Sequence, residues 1–428
     1  MTAEPAPASD ASLARRLGTG DAVVIGLGSM MGAGVFAVWA PAARAAGVGL
    51  LIGLVLAAFI AYCNAVASAQ LAAVYPVSGG TYVYGRERLG EWWGFLAGWA
   101  FVVGKTASCA AMALTFASYA VDGSRWVQRL VAVVAVLAIA ALNYRGVTRT
   151  ASLTRVLVIC TLLALGVFVV AVLTSPSASS SHLHGWSDVS AYGVLQSAGL
   201  LFFAFAGYAR IATMGEEVRD PSRTIPRAIP LALGITVAVY VVVGFASLVA
   251  GGSDLLASST SPLASVLSGA DRSSVEPVVR AGAALASLGA LLALMTGIGR
   301  TSLAMAREGD LPRWLGAVHP RHRVPHRAEV ALALVVAALV LTTDLRGALG
   351  FSSFGVLVYY AIANASAFTQ PTAERRWPRV LQVIGVLGCL TLAFSLPLAS
   401  VLAGLGALAV GLLGRLLRER AQWKIRKT

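Results

Sequence analysis

The sequence predicts an all-α integral membrane protein of about twelve transmembrane helices, and three observations predict it. Of its 428 residues, 57% are hydrophobic and 12% charged, and the mean hydropathy is +0.77, far more apolar than a soluble core requires. The apolar residues gather into segments of about 20, the length that spans the hydrocarbon of a bilayer. Most of the charge lies between those segments, alternately rich and poor in Lys and Arg. The net charge of +14 is therefore a topology signal, and no nucleic-acid partner is expected.

Taken in order, residues 1–19 are polar and alanine-rich, lack a cleavable-signal pattern and read as a cytoplasmic tail. Candidate spans follow near 21–46, 50–74, 91–120, 125–142, 152–174, 191–215, 230–250, 274–306, 327–343, 352–369, 379–395 and 397–415. With the N-terminus inside, 25 of the 33 Lys and Arg fall on the cytoplasmic side and six outside, while Lys105 and Arg210 lie within helices. Both termini are then cytoplasmic. The stretch 416–428 reads as a basic tail, with anionic lipid as its expected contact. Outer loops at 175–190 and 251–273 carry His182, His184, Asp188, Asp254 and Asp271, all expected to be solvated.

Cys63, Cys109, Cys160 and Cys389 sit singly inside apolar segments, which argues against a disulfide framework or a zinc site. The five histidines lie in loops, so no triad or metalloprotease motif can be assembled, and neither a metal nor another cofactor is expected. An enzyme embedded in the membrane is correspondingly disfavoured. Three lysines against thirty arginines, with abundant alanine, point to a GC-rich genome and a bacterial inner membrane as the location.

Two segments are interrupted. GLGSMMGAGVF at 26–36 packs four glycines into nine residues, each weakening a helix interior by about 1 kcal/mol relative to alanine. A GxxxG packing face at Gly28 and Gly32 would explain the run equally well. The sixth segment supplies a second interruption, FAFAGYAR at 203–210, with a glycine and an arginine near mid-span. Five helices per half, with the broken one first in each, make the halves inverted repeats. The first repeat covers about 20–174, the second about 191–369, and extra helices occupy about 379–415 within one transmembrane unit, 20–415. Half-helix amides and carbonyls would then face a common midplane cavity suited to a carboxylate and an ammonium.

Further stretches carry a resemblance: PVSGGTYVY at 76–84, GEWWGFLAGW at 90–99, NYRGV at 143–147, EEVRDPSRTIPRAI at 216–229 and MAREGDLP at 305–312. Together with the two breaks they resemble the amino acid, polyamine and organocation transporter superfamily, over nearly the whole chain. The resemblance implies a five-plus-five inverted-repeat fold with helices 1 and 6 broken near the midplane, and an amino acid as substrate. It implies that amides at Gly32, Ala33 and Gly34 hold the substrate carboxylate, and that carbonyls of Met30, Phe205, Ala206 and Tyr208 hold its amino group. Met31 and Phe202 would shape or gate the pocket, although ordinary helix packing accounts for them and for Tyr208 as readily.

The sequence departs from the family in helix 5, where Cys160 or Thr161 stands at a lysine position, and in helix 3, where Gly104 and Lys105 replace a glutamate and tyrosine found in some relatives. Ala209, followed by Arg210, occupies a position that is acidic elsewhere. No helix carries an acidic residue in its middle, and a charge at the bilayer centre costs roughly 3 kcal/mol or more. Lys105 is the candidate coupling residue, for proton symport or antiport, and Arg210 a candidate for the inner gate through Glu216 or Glu217. The expected function is a secondary transporter of a neutral amino acid by alternating access. A cationic amino-acid or polyamine exchanger is the alternative, with a channel as the rival from another class.

Overall fold

The computed structural model describes residues 17–77, 79–146 and 151–427, so most of the expected N-terminal tail and Arg149 of the basic clusters lie outside the described residues. Twelve helical passes run through them. α1 runs Thr19–Met30 and resumes over Gly34–Ala37 and Trp39–Ala46; α2 is Leu50–Val74, α3 Glu91–Ala120, α4 Arg125–Tyr144 and α5 Ala151–Leu173. α6 runs Ala191–Phe205, tightens to a 3-10 turn at Ala206–Tyr208 and continues over Ala209–Ala212. α7 is Pro221–Ser258, α8 Glu276–Arg307, α9 His326–Thr342, α10 Leu345–Phe368, α11 Arg379–Ser395 and α12 Leu398–Lys427. Ten helical stretches among the described residues are long and apolar enough to cross a membrane. α11 is a shorter apolar helix of 17 residues, and α9 has the same length.

Helix ends follow local chemistry, and several depart from the sequence reading; α10, for one, begins at Leu345 in place of 352. α7 begins nine residues before the expected start at 230, because Pro221 occupies the first turn, where a missing N–H costs nothing. It also runs into the expected outer loop as far as Ser258, bent at Gly252 (φ 69°), and Pro262–Gly269 forms a further short helix there. Of the five loop residues expected in water, His182 is half-buried and its Nδ1 lies 2.8 Å from the Val249 carbonyl; the other four are exposed. The basic stretch from 416 to 427 continues α12 as helix.

Packing sorts the passes into two groups. α1, α2, α6 and α7 pack on one another, and α3, α4, α8 and α9 form a second set, with α10 lying against α2, α3 and α6. Polar contacts respect the two faces that the charge pattern defines. On the face poor in cations, Arg129 donates to the Thr343 carbonyl at 3.1 Å, Arg280 pairs with Asp122 at 2.8 Å and Arg346 with Gln196 at 3.1 Å. On the basic face, Arg155 pairs with Asp21 at 2.8 Å, and Leu17 forms an isolated parallel bridge with Val218. There Arg415 of α12 lies between the rings of Trp92 and Phe95 and pairs with Asp310 at 2.7 Å, both side chains almost fully buried. Tyr82, on the short helix Thr81–Leu89, donates to the same carboxylate at 2.7 Å.

Candidate functional site

The two interruptions meet. In α1 the helix ends at Met30, residues 31–33 bend, and Gly34 restarts it. In α6 the tighter turn Ala206–Tyr208 does the same work. A Cβ added to Gly207 would stand 2.3 Å from the Ser29 oxygen and 2.5 Å from the Met30 nitrogen, so only glycine lets the breaks touch. A Cβ at Gly34 would come within 2.8 Å of Ala204 Cα on α6, and one at Gly32 within 2.5 Å of Ala290 Cβ on α8. The glycine run is therefore a close-packing face and a break at once.

Backbone carbonyls freed at the breaks are engaged by side chains from other helices. The Tyr240 hydroxyl on α7 donates to the Met30 carbonyl at 2.7 Å and also lies 3.1 Å from the Ala204 oxygen. The Ala206 carbonyl accepts from the Lys105 ammonium at 3.3 Å and from the Tyr360 hydroxyl of α10 at 3.2 Å. Toward the cation-poor face, the Tyr119 hydroxyl donates to the Phe36 carbonyl at 3.0 Å and accepts from the Leu263 N–H at 3.2 Å. That contact pins the helix Pro262–Gly269 over the outer end of the break.

From the breaks a cavity of about 200 Å³ opens toward the basic face. Ser29, Lys105, Ser108, Ala206 and Gly207 line it beside the breaks, and Thr213, Glu217, Arg300, Thr301, Gly79 and Tyr82 belong to the same lining. Of the residues singled out from sequence, Lys105, Ala206, Ala209, Arg210 and Glu217 reach its wall. Met30, Met31, Ala33, Phe202, Phe205 and Tyr208 are buried around the breaks, outside the lining. The aromatic ones are held by ring packing: Phe205 on Tyr240 with centroids 5.1 Å apart, Phe202 edge-on to Tyr360 at 5.9 Å, and Tyr208 stacked on Tyr360 at 5.0 Å. Gly32 and Gly34 likewise face neighbouring helices.

The cavity's charge is one-sided. Arg210 pairs with Glu217 at 3.5 Å and donates to Thr213 at 3.4 Å, while no carboxylate among the described residues lies within 4.0 Å of Lys105 or Arg300. Three cationic side chains thus face one carboxylate across the lining. Glu329, in the first turn of α9, packs behind α8 against Gly299 and is only 2% exposed. Burial and the adjacent Asp310 carboxylate hold the Tyr82 phenol above its usual range, which keeps it a hydrogen-bond donor.

Sequence reading missed Tyr240 and Tyr360 as partners of the breaks. The available signal was position, because a tyrosine in the middle of an apolar span needs an acceptor for its hydroxyl. It also missed Arg300, which lies inside the expected span 274–306, and although it marked the glycine of FAFAGYAR as part of a break, the contact of Gly207 with α1 is readable only with α1 in place.

The model of a family described as amino acid permease matches residues 17–410. An uncharacterized transporter of Mycobacterium tuberculosis is 60% identical over 399 residues, covering 93% of this chain and 90% of the relative. A branched-chain amino acid permease of Bacillus subtilis is 28% identical, with 98% of this chain and 96% of the relative covered. The cationic amino acid transporter 6 of Arabidopsis thaliana is 29% identical over 84% of this chain and 66% of its own length.

Proposed function

We propose that this chain, which belongs to the amino acid permease family, is a secondary active transporter that moves an amino acid across the membrane by alternating access. The observation that supports this best is the cavity, which leads from the basic face to both helix breaks, while on the other side of the α1 break Tyr119 joins Phe36 to the helix Pro262–Gly269. A pathway open to one face and stopped at paired breaks is what one half of an alternating cycle requires. α1, α2, α6 and α7 would rock against α3, α4, α8 and α9, the grouping in which they pack. Arg210 and Glu217 would serve as part of the gate at the inner end. The basic face is assigned to the cytoplasm of a bacterial inner membrane, with both termini on that side and anionic lipid against the basic end of α12.

Three cations against one carboxylate disfavour lysine, arginine and polyamines, and favour neutral or acidic amino acids whose carboxylate is drawn toward Lys105. The relatives' names span branched-chain and cationic substrates. To test the assignment, the purified protein is heated in detergent with each of the twenty amino acids in turn. A substrate present at about 100 times its Kd stabilises the folded state by about 2.7 kcal/mol, so at least one non-cationic amino acid is expected to raise the melting temperature. Stabilisation by lysine, arginine or putrescine in place of those would select the exchanger reading.

Lys105 is the proposed coupling group, either alternating between charged and neutral forms or standing in for a bound cation. Uptake by liposomes carrying wild type is expected to respond to an imposed pH gradient. In Lys105→Ala that response is expected to vanish, and an unchanged pH dependence would remove Lys105 from the coupling.

A further inference from the structure

We propose that the site selects small dianionic carboxylates, acidic amino acids and amino-free dicarboxylates alike, because Lys105 itself fills the position that a substrate ammonium would take. The proposal rests on the transporter reading above and narrows its substrate class. Its basis is the bookkeeping of acceptors at the breaks. A carbonyl oxygen offers two lone pairs, and those of Ala206 are met by the Lys105 ammonium at 3.3 Å and the Tyr360 hydroxyl at 3.2 Å. The Met30 carbonyl, on the opposite side of the junction, is met by Tyr240 at 2.7 Å. The Ala206 carbonyl thus has both acceptor positions met by donors of the chain, and the Met30 carbonyl one of its two. A substrate amino group arriving at Ala206 would have to displace a buried donor and would meet the Lys105 charge at close range.

A carboxylate meets the opposite situation. Lys105 uses one of its three N–H donors on Ala206, leaving two for a ligand, while the Ser108 hydroxyl beside it in the lining is already engaged with the Gly104 carbonyl at 3.3 Å and with Ser352 Oγ at 2.5 Å. Arg300 stands in the same lining on α8, solvent-exposed, and no carboxylate among the described residues lies within 4.0 Å of it. Glu329 behind α8 offsets part of its charge from outside the cavity. The cavity therefore has in its lining two cations, buried Lys105 and exposed Arg300, that no carboxylate among the described residues pairs with, which favours a ligand with two anionic groups. A neutral amino acid satisfies the first cation and leaves the second without a partner, while its ammonium opposes Lys105. A cationic one adds a second repulsion.

The experiment compares glutarate, glutamate, leucine and arginine, first as stabilisers of the purified protein in the thermal assay and then as competitors of labelled glutamate uptake in liposomes. Glutarate and glutamate are expected to raise the melting temperature and to compete within about tenfold of each other, a difference of about 1.4 kcal/mol or less, because the amino group contributes little. Leucine and arginine are expected to compete at least about a hundredfold more weakly. Lys105→Met should abolish glutarate stabilisation, and Lys105→Arg should retain part of it. Arg300→Gln, a change at an exposed side chain, should weaken glutarate more than the monocarboxylate butyrate, and this variant remains informative if Lys105→Met fails to fold. Stabilisation by leucine with none by either dianion overturns the proposal and leaves the amino-acid transporter reading standing. Stabilisation by glutamate but not by glutarate also overturns it, because it shows an ammonium subsite in use. Absence of stabilisation by every amino acid and by glutarate overturns both.

Discussion

Gly207→Val is expected to abolish transport while the protein still inserts in the membrane. The position leaves no choice of rotamer that helps, since the first atom of any side chain would lie 2.3 Å from the Ser29 oxygen and 2.4 Å from its carbonyl carbon. Both are backbone atoms at the α1 break, so relief requires the two interrupted helices to separate. Overpacking a core commonly costs about 1–3 kcal/mol, and here the strain falls on the junction between α1 and α6, where the cavity ends. Gly34→Ala should act in the same direction, more weakly, because its Cβ meets Ala204 Cα at 2.8 Å. The readout is uptake of labelled substrate into liposomes, together with the fraction of protein extracted from the membrane as a single species. Uptake by Gly207→Val above about half the wild-type rate would mean that the breaks do not need to touch.

Arg415→Met is expected to have the largest effect on stability. Its guanidinium donates to Asp310 at 2.7 Å, with Glu91 at 3.4 Å and Glu419 at 3.0 Å, and both Arg415 and Asp310 are almost completely buried. Removing the cation leaves the Asp310 carboxylate with Tyr82 and a more distant Arg86 at 3.6 Å. Stranding one member of a buried pair costs about 3–5 kcal/mol, much of it the unpaired charge. The double variant Arg415→Met with Asp310→Asn should recover part of that loss. The check is a double-mutant cycle on thermal stability in detergent. Equal stability of the single variant and wild type would show that α12 is not held at the basic face by this pair.

The passes and the two interruptions were legible in the sequence because their causes are local. Hydropathy over about 20 residues fixes a span, and a glycine cluster or a glycine beside arginine weakens one. Arg210 and Glu217 stand seven residues apart on the chain, so their ion pair at 3.5 Å was within reach of sequence reasoning. What could not be read was which donors answer the freed carbonyls. Tyr240 and Met30 are 210 residues apart, and Lys105 and Ala206 are 101 apart, so their meeting depends on how α3, α7 and α10 pack. The same holds for the outer loop, whose serine-rich composition hid a helix that buries Leu263, Val266 and Leu267. Phe205 and Tyr208, assigned to the pocket by resemblance, are taken up by the rings of Tyr240 and Tyr360. Their nearness to a break is a local feature of the chain, whereas the face of the turn they occupy depends on where α7 and α10 pack.

The measurement that bears most directly on the account is counterflow. Liposomes containing the purified protein are loaded with an unlabelled amino acid that stabilises it, then diluted into a trace of the labelled compound. Saturable uptake is expected, accelerated by the internal amino acid and eliminated by Gly207→Val. Flux that rises linearly with concentration and ignores what is loaded inside would contradict it, showing a pore where a carrier is proposed.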